Sequence, residues 1–196
     1  MMIRGELRQS YREVPRPVVA LGVDYPDGNV IAAHYHNRYQ LLYGSTGAVM
    51  VATPEGAWMM PPQRGMWIPA GTVHEVQMLG DVRMRSLYLE PGAVAGMPDR
   101  CQVVGISALM RGLLADAVTV PATYDVEGRD GALMALILHE IRRCRCRCRC
   151  RWTVRWRAAA GRSWPIRRRT TPSTTGATRS ASRAARSPGS SGARPG

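Results

Sequence analysis

The sequence predicts a mainly β domain, built as a small barrel or sandwich, that is followed by two α-helices and a basic tail. Between residues 18 and 91, short apolar stretches alternate with turn signals, which is typical of barrels and sandwiches. Apolar residues then recur at helical spacing between residues 107 and 142. All 14 acidic residues precede residue 142, and the rest of the chain carries arginine without any acid. We therefore expect one folded domain of roughly 140 residues, followed by a segment of different character.

The strands are predicted from apolar runs that end at glycine, proline or polar turn residues. A Pro-Glu-Gly turn at residues 54–56 separates two of these runs, and an Ala-Gly turn at residues 70–71 separates two others. The last run alternates, so that Arg83 and Arg85 face away from a set formed by Val82, Met84, Ser86 and Tyr88. The predicted strands are residues 18–23, 39–44, 48–53, 57–60, 66–69, 74–78 and 82–89.

Two helices are predicted after the strands. Ser107 is a suitable N-cap for the first, because its hydroxyl can accept a hydrogen bond from the first turn. Each helix has an apolar stripe, which would pack on the barrel or on the helices of another copy. The residues at helical spacing are Leu109, Met110, Leu113, Leu114 and Ala117 in the first helix, and Leu133, Leu136, Ile137, Glu140 and Ile141 in the second.

The formal net charge of +13 and the isoelectric point near 10.7 describe the tail and not the folded body. The tail has few apolar residues to bury, so disorder is expected, and its arginines would attract phosphate without sequence preference. Four of the five cysteines alternate with arginine at residues 143–151. That period of two does not suit a zinc site or a disulfide framework. It does suit a GC-rich repeat that encodes Leu-Pro when the reading frame shifts by two bases, so a frame change is the preferred explanation.

The chain thus divides into a lead (residues 1–17), a barrel (18–98), a helical segment (99–143) and an arginine-rich disordered tail (144–196). No apolar run approaches the roughly 20 residues of a membrane helix. Residues 1–17 lack the apolar stretch of a signal peptide. We therefore expect a cytoplasmic protein that does not contact a membrane.

Chemistry is concentrated in a spaced set of histidines. The motif His34-x-His36-x-x-x-Gln40 places three side chains at even spacing, so on one continuous strand they would share a face. A second element ends at His74. Together the two elements resemble the paired motifs of cupins, which gather His, His, Glu and His inside a small double-stranded β-helix barrel. This chain departs from that pattern, because Gln40 replaces the glutamate and Met78 replaces the asparagine that ends the second motif.

A closer resemblance joins three separate blocks of sequence: HYHNRYQLLY at residues 34–43, Pro-Pro at 61–62 leading to WIPAGTVH at 67–74, and RSLY at 85–88. These blocks are similar to the N-terminal sensor domain of AraC-type transcription regulators, over roughly residues 15–141. The resemblance implies a small-molecule effector, a homodimer formed through the helical segment or a sheet edge, and a C-terminal DNA-binding domain with two helix-turn-helix units. Nothing in residues 142–196 offers such a domain, so we expect it to be lost to a frame change in the Leu-Pro linker, with only non-specific DNA contact by the tail.

Two interpretations of the site stay open. Three imidazoles and an amide oxygen can hold a divalent ion such as Zn, Ni, Fe or Mn. Alternatively, the same residues line a polar effector pocket or bond one another. Trp58 and Trp67 would stack on an aromatic effector or belong to the core. No catalytic residue is expected, although a metal-dependent cupin enzyme, such as a dioxygenase or isomerase, is the rival function. The predicted pocket is His34, His36, Gln40, Trp58, Trp67 and His74, with His34, His36, Gln40 and His74 as metal ligands.

Overall fold

The structure is a computed structural model that describes residues 14–147, with side chains to residue 143. Within that range the chain forms a barrel and two helices. The elements are β1 (Val18–Tyr25), β2 (Val30–His34), β3 (Tyr39–Gly44), β4 (Ala48–Thr53), β5 (Gly56–Met60), β6 (Arg64–Ile68), β7 (His74–Leu79), β8 (Val82–Leu89), β9 (Gln102–Gly105), α1 (Ala108–Ala117) and α2 (Arg129–Arg147).

The strands form two antiparallel sheets that face each other. One has five strands in the order β1-β8-β3-β6-β9, and the other has four in the order β2-β7-β4-β5. Neighbours in space are mostly distant in sequence, as in β1 with β8 and β2 with β7. The predicted mainly β class, with a barrel followed by two helices, is confirmed. Residues 144–147 of the predicted disordered tail belong to α2, and the rest of that tail lies outside the described residues.

The barrel interior is filled from both sheets by alternating side chains. Met66 and Ile68 of β6 and Leu42 of β3 point inward, where they meet Val51 and Val76 of the other sheet. The interior is rich in methionine and β-branched residues, which fill an irregular space between two twisted sheets. β7 and the first half of β8 show the alternation that the sequence predicts for strands with one buried face.

The helices cover the outer face of the five-stranded sheet. Leu41 and Trp67 lie one position away from inward residues, so they point outward, and they join Leu114 and Ile137 of the helices in a second core. α1 begins at the predicted cap, where Ser107 Oγ accepts a hydrogen bond of 3.0 Å from Met110 N. A cap of this kind contributes about 1 kcal/mol. Leu109 was expected in the buried stripe, but it is 50% exposed because it precedes the stripe by one residue.

Two strands were not predicted. β2 and β9 each lie at the edge of a sheet and carry few inward apolar residues, so neither produces a strong periodic signal. β9 falls inside the segment predicted as helical, yet it pairs with β6 from Trp67 to Arg64. Among residues 14–147, neither helix combines the length and apolarity that crossing a bilayer requires.

A buried arginine fastens the chain that leads into β1. Arg38 donates hydrogen bonds to the carbonyl oxygens of Val14 (2.6 Å) and Arg16 (2.9 Å), and it forms an ion pair with Glu90 at 2.9 Å. Val14 is thereby held in a small cluster with Tyr88. Since Tyr88 also borders the interior site described below, the entry segment forms part of the support of that site.

Candidate functional site

Three histidines converge inside the barrel. The nitrogen atoms of His34, His36 and His74 that could serve as ligands all lie within 4.8 Å of one another. The ring centroids are 4.4 Å apart for His34 and His74, and 5.3 Å apart for His36 and His74. This is the spacing at which one ion or small polar group can contact all three rings.

The convergence does not arise on one continuous strand, as the sequence spacing suggested. His34 ends β2 in the four-stranded sheet, Gln40 lies on β3 in the five-stranded sheet, and His36 lies in the connection between them. The pairing of β2 with β7 shifts register before His34, and such irregularities redirect side chains. The site is therefore built where the chain crosses from one sheet to the other.

A glycine turn holds the middle histidine. Gly71 has a φ of +78°, a conformation that favours glycine because it lacks a Cβ. Its N–H donates a 2.7 Å hydrogen bond to the carbonyl oxygen of His36. The same turn leads directly into His74 at the start of β7, so one local structure positions two of the three rings.

Backbone carbonyls select the tautomer of two histidines. His34 Nδ1 lies 2.7 Å from Ala32 O, and His74 Nδ1 lies 2.9 Å from Thr72 O. A carbonyl oxygen only accepts, so in both rings Nδ1 carries the hydrogen. In a neutral imidazole Nε2 then has a lone pair for a metal or a donor. Each carbonyl belongs to the residue two positions earlier. In metal-ligating histidines, the ring nitrogen that does not bind the metal commonly donates its hydrogen to a carbonyl or carboxylate in this way.

Gln40 is a buried side chain whose amide nitrogen is hydrogen-bonded. Its Nε2 donates to Ser86 Oγ at 3.2 Å and to Tyr88 Oη at 3.3 Å. Its Oε1 is buried and has no hydrogen-bond partner among the described residues. Leaving a buried acceptor unsatisfied costs about 1–3 kcal/mol. The hydroxyls of Ser86 and Tyr88 thus orient the amide so that its oxygen is available to bind a ligand.

The space beside these groups is small. A cavity of about 30 Å³ touches His34, His36 and Gln40, and no acidic side chain among the described residues borders it. A cavity needs a volume of about 10–15 Å³ to hold one water molecule, so this space suits an ion with one or two small ligands. The other lining residues are Leu21, Val23, Tyr25, Ile31, Leu42, Val76, Met84, Ser86 and Tyr88.

The two tryptophans predicted for the pocket lie elsewhere. Trp58 packs in the interior core but does not border the cavity. Trp67 faces the helices, where its Nε1 donates to Pro98 O at 3.0 Å and its ring stacks on Tyr39 at 5.1 Å. Of the six predicted residues, the structure brings together His34, His36, Gln40 and His74.

Ser86 and Tyr88 were not predicted as site residues, although both border the cavity and both bond Gln40. A signal was present, because the alternation of β8 places them on the inward face. A serine among apolar inward residues is a buried hydroxyl that needs a partner. The sequence does not indicate which side chain of another strand provides that partner.

The remaining nucleophile in this region is inert. Cys101 is a buried free cysteine, and burial raises the pKa of its thiol to about 12, with a smaller contribution from the charge of Glu55. The thiolate is the reactive form of cysteine. At neutral pH Cys101 is therefore a protonated core residue.

Residues 16–140 match the family described as the AraC-like ligand-binding domain. The chain is 32% identical over 108 residues to the HTH-type transcriptional regulator NimR of Escherichia coli K12, covering 55% of this chain and 39% of that regulator's length. Fatty-acid-bound ToxT of Vibrio cholerae has a similar fold, with a TM-score of 0.50, 9% identity, and coverage of 69% of this chain and 57% of that one. A cupin superfamily protein of Desulfitobacterium hafniense also matches, with a TM-score of 0.35 and 14% identity over 38% of this chain and 78% of that one.

Proposed function

The chain belongs to the family of AraC-like ligand-binding domains, and from this premise we propose that it is the effector-sensing part of a transcription regulator. The observation that carries this proposal is the polar cluster of His34, His36, His74 and Gln40 inside an otherwise apolar barrel. A few convergent polar groups in a mostly apolar cavity are typical of small-molecule and ion sites, so such a cluster favours a binding role. In this proposal the barrel (residues 18–98) binds and the helical segment (99–143) pairs with a second copy.

We propose that a divalent ion occupies the cluster. The donors fit Zn, Ni, Fe or Mn, because neutral imidazole nitrogens and an amide oxygen are ligands for borderline metals. The fit is supported by the carbonyl-fixed tautomers of His34 and His74 and by the unbonded Oε1 of Gln40. A bound ion would supply a positive charge to which an oxygen or nitrogen of the effector could coordinate. The chain itself orients the four donors and excludes bulk water from them.

Binding fits this site better than turnover. An enzyme needs an activated base or nucleophile beside its substrate. The imidazoles, which could otherwise act as bases, are assigned here to the ion; the cavity has no acidic lining residue within residues 14–143, and Cys101 is protonated. The hydroxyls of Ser86 and Tyr88 are occupied with Gln40. These observations support a sensor, and a metal-dependent turnover of small substrates would contradict it.

Metal titration tests the site directly. We expect the purified chain to bind one equivalent of Zn or Ni, and an ion at 100 times its Kd stabilises the fold by about 2.7 kcal/mol. Gln40→Ala should weaken the affinity by about 10-fold, the low end of the effects of groups around a metal. The measurement is calorimetric titration combined with thermal unfolding. Gln77→Ala, on β7 but away from the cavity, is the matched control; no ion uptake by the wild-type chain would disprove the site.

We also propose that the outer faces of α1 and α2 pair with a second copy. Leu109 and Leu136 are 50% and 42% exposed, and Ala132 and Ala135 lie beside Leu136 on the solvent face. Leu136→Glu should convert a dimer into a monomer, because two-fold symmetry introduces each new charge twice. Sedimentation velocity measures the change. Val30→Glu, an equally exposed apolar site on β2, should leave the dimer intact, and a monomeric wild-type chain would refute the proposal.

We propose that DNA recognition is a function of the full-length relatives of this chain. NimR is named as a helix-turn-helix regulator, and the chain described here matches 39% of its length. We infer that residues 144–196, which lie outside the described side chains, supply at most salt-sensitive attraction to phosphates.

A further inference from the structure

A second and much larger cavity lies outside the barrel. Its volume is about 520 Å³, and it is bounded by the β5–β6 turn, the β9–α1 junction and the C-terminal part of α2. Small-molecule sites typically measure about 300–1,000 Å³. This cleft is therefore the size of an organic ligand, and it is much larger than the barrel cavity of about 30 Å³.

One wall of the cleft carries a buried carboxylate. Glu140 is 8% exposed, and its Oε1 lies 3.5 Å from Nη1 of Arg143, whose side chain is 76% exposed. An ion pair with so exposed an arginine contributes about 0–1 kcal/mol. Arg143 is the ion-pair partner of Glu140 among the described side chains, and a buried carboxylate with so exposed a partner is costly. Glu140 is thus positioned to gain from a ligand that brings its own N–H donors.

Groups that favour negative charge border the same cleft. Arg64 borders it, and its Nη1 packs over Gly105, where an added Cβ would lie 3.1 Å away. Ser107, which also borders the cleft, caps the ten-residue helix α1. The N-terminus of a helix favours negative charge. Arg64 and this N-terminus therefore favour an anionic group.

A strained turn holds this wall in place. Gln63 has a φ of +75°, the only positive φ of a non-glycine residue within residues 14–147. Its turn closes with a bond from Arg64 N to Pro61 O, and its own carbonyl accepts from Ile106 N at 3.0 Å. A type II turn favours glycine at this position. Strain of this kind, worth about 1–3 kcal/mol, is concentrated at ligand-binding sites.

We propose that the cleft binds a small zwitterion, an α-amino acid with an apolar side chain. The ammonium group pairs with Glu140, and the carboxylate pairs with Arg64 and the N-terminus of α1. The side chain lies against Leu109 and Ile106, which also border the cleft. A ligand with both charges can engage Arg64 and Glu140 at the same time. Such a ligand would contact the sheet and both helices at once, separately from the histidine cluster.

Calorimetric titration of the full chain with L-leucine tests the proposal. We expect leucine to bind, and isoamylamine and 4-methylpentanoate, which each lack one charged group, to bind at least about 10-fold more weakly, since a hydrogen bond to a charged group contributes about 1.5–3 kcal/mol. Arg64→Gln and Glu140→Gln should each weaken leucine binding by a similar factor. Arg100→Gln and Glu127→Gln, both exposed and away from the cleft, are the matched controls.

Several results would overturn the proposal. They are the absence of leucine binding at about 1 mM, equal binding of 4-methylpentanoate, or unchanged binding in Arg64→Gln. Circular dichroism checks the fold of Glu140→Gln, and Arg64→Gln supplies the test if that variant unfolds. His34→Ala should retain leucine binding, and its loss there would place the ligand in the barrel. Ion uptake is measured separately, so failure of the barrel site and failure of the cleft are distinguishable.

Discussion

Replacing Trp67 with alanine should lower the free energy of unfolding by about 4 kcal/mol, the middle of the range for a buried aromatic residue. Trp67 is 1% exposed, stacks on Tyr39 and donates to Pro98 O. It lies in the layer that joins the five-stranded sheet to the helices, so its removal leaves a large cavity under both helices. Urea unfolding measures the loss.

The comparison variants separate the contributions of this residue. Trp67→Phe keeps an aromatic ring but loses the hydrogen bond to Pro98 O, so it should cost about 1–3 kcal/mol. Leu109→Ala, in the same region but half exposed, should cost less than about 1 kcal/mol. A loss below about 1 kcal/mol in Trp67→Ala would show that the packing of this layer is not as described. Metal affinity should be unchanged, because Trp67 does not border the barrel cavity.

Removing one imidazole from the barrel cluster should abolish tight metal binding. His34→Ala is expected to reduce the affinity for Zn or Ni by more than about 100-fold, since even residues around the ligands of a metal contribute 10- to 100-fold. His34 is partly exposed and His74 is fully buried, so His34→Ala removes a ligand with less risk to the fold. Competition titration with a chromophoric chelator measures affinities over this range.

The chain contains its own control for this experiment. His139 is the fourth histidine of the sequence, and it lies on the exposed face of α2, outside the cluster. His139→Ala should leave the metal affinity unchanged. An equal loss in His34→Ala and His139→Ala, or no loss in His34→Ala, would contradict the assignment of the barrel histidines as ligands.

The periodicity of the sequence was sufficient for most of the barrel and for both helices. β7 and the first half of β8 alternate between buried and less buried positions, β3 and β6 are runs buried on both faces, and Ser107 caps α1 as predicted. Edge strands were the exception. β2 and β9 each have one neighbour and a weakly apolar inward face, so pairing with a distant strand, rather than their own pattern, makes them strands.

The site was predicted in part for the same reason. Even spacing grouped His34, His36 and Gln40, the second motif added His74, and the structure also brings these four side chains together. The predicted single strand from His34 to Gln40 was wrong, because the chain changes sheets between these two residues. The hydroxyls of Ser86 and Tyr88 belong to β8, which lies beside β3 only after folding. Neither the sequence of β3 nor the sequence of β8 specifies that these two strands pair.

The sequence by itself determined the mainly β class, the two helices and the set of imidazoles and amide that face one interior. The class and the helices follow from local periodicity, which records which side of a strand or helix is buried, whereas the grouping of the imidazoles and the amide follows from the resemblance to the paired motifs of cupins. Only the tertiary structure decided that Trp67 supports the helices, that Gln40 is oriented by β8, and that Glu140 and Arg64 border one cleft. Each of these depends on contacts between segments far apart in the chain, and local patterns do not specify the partner of such contacts.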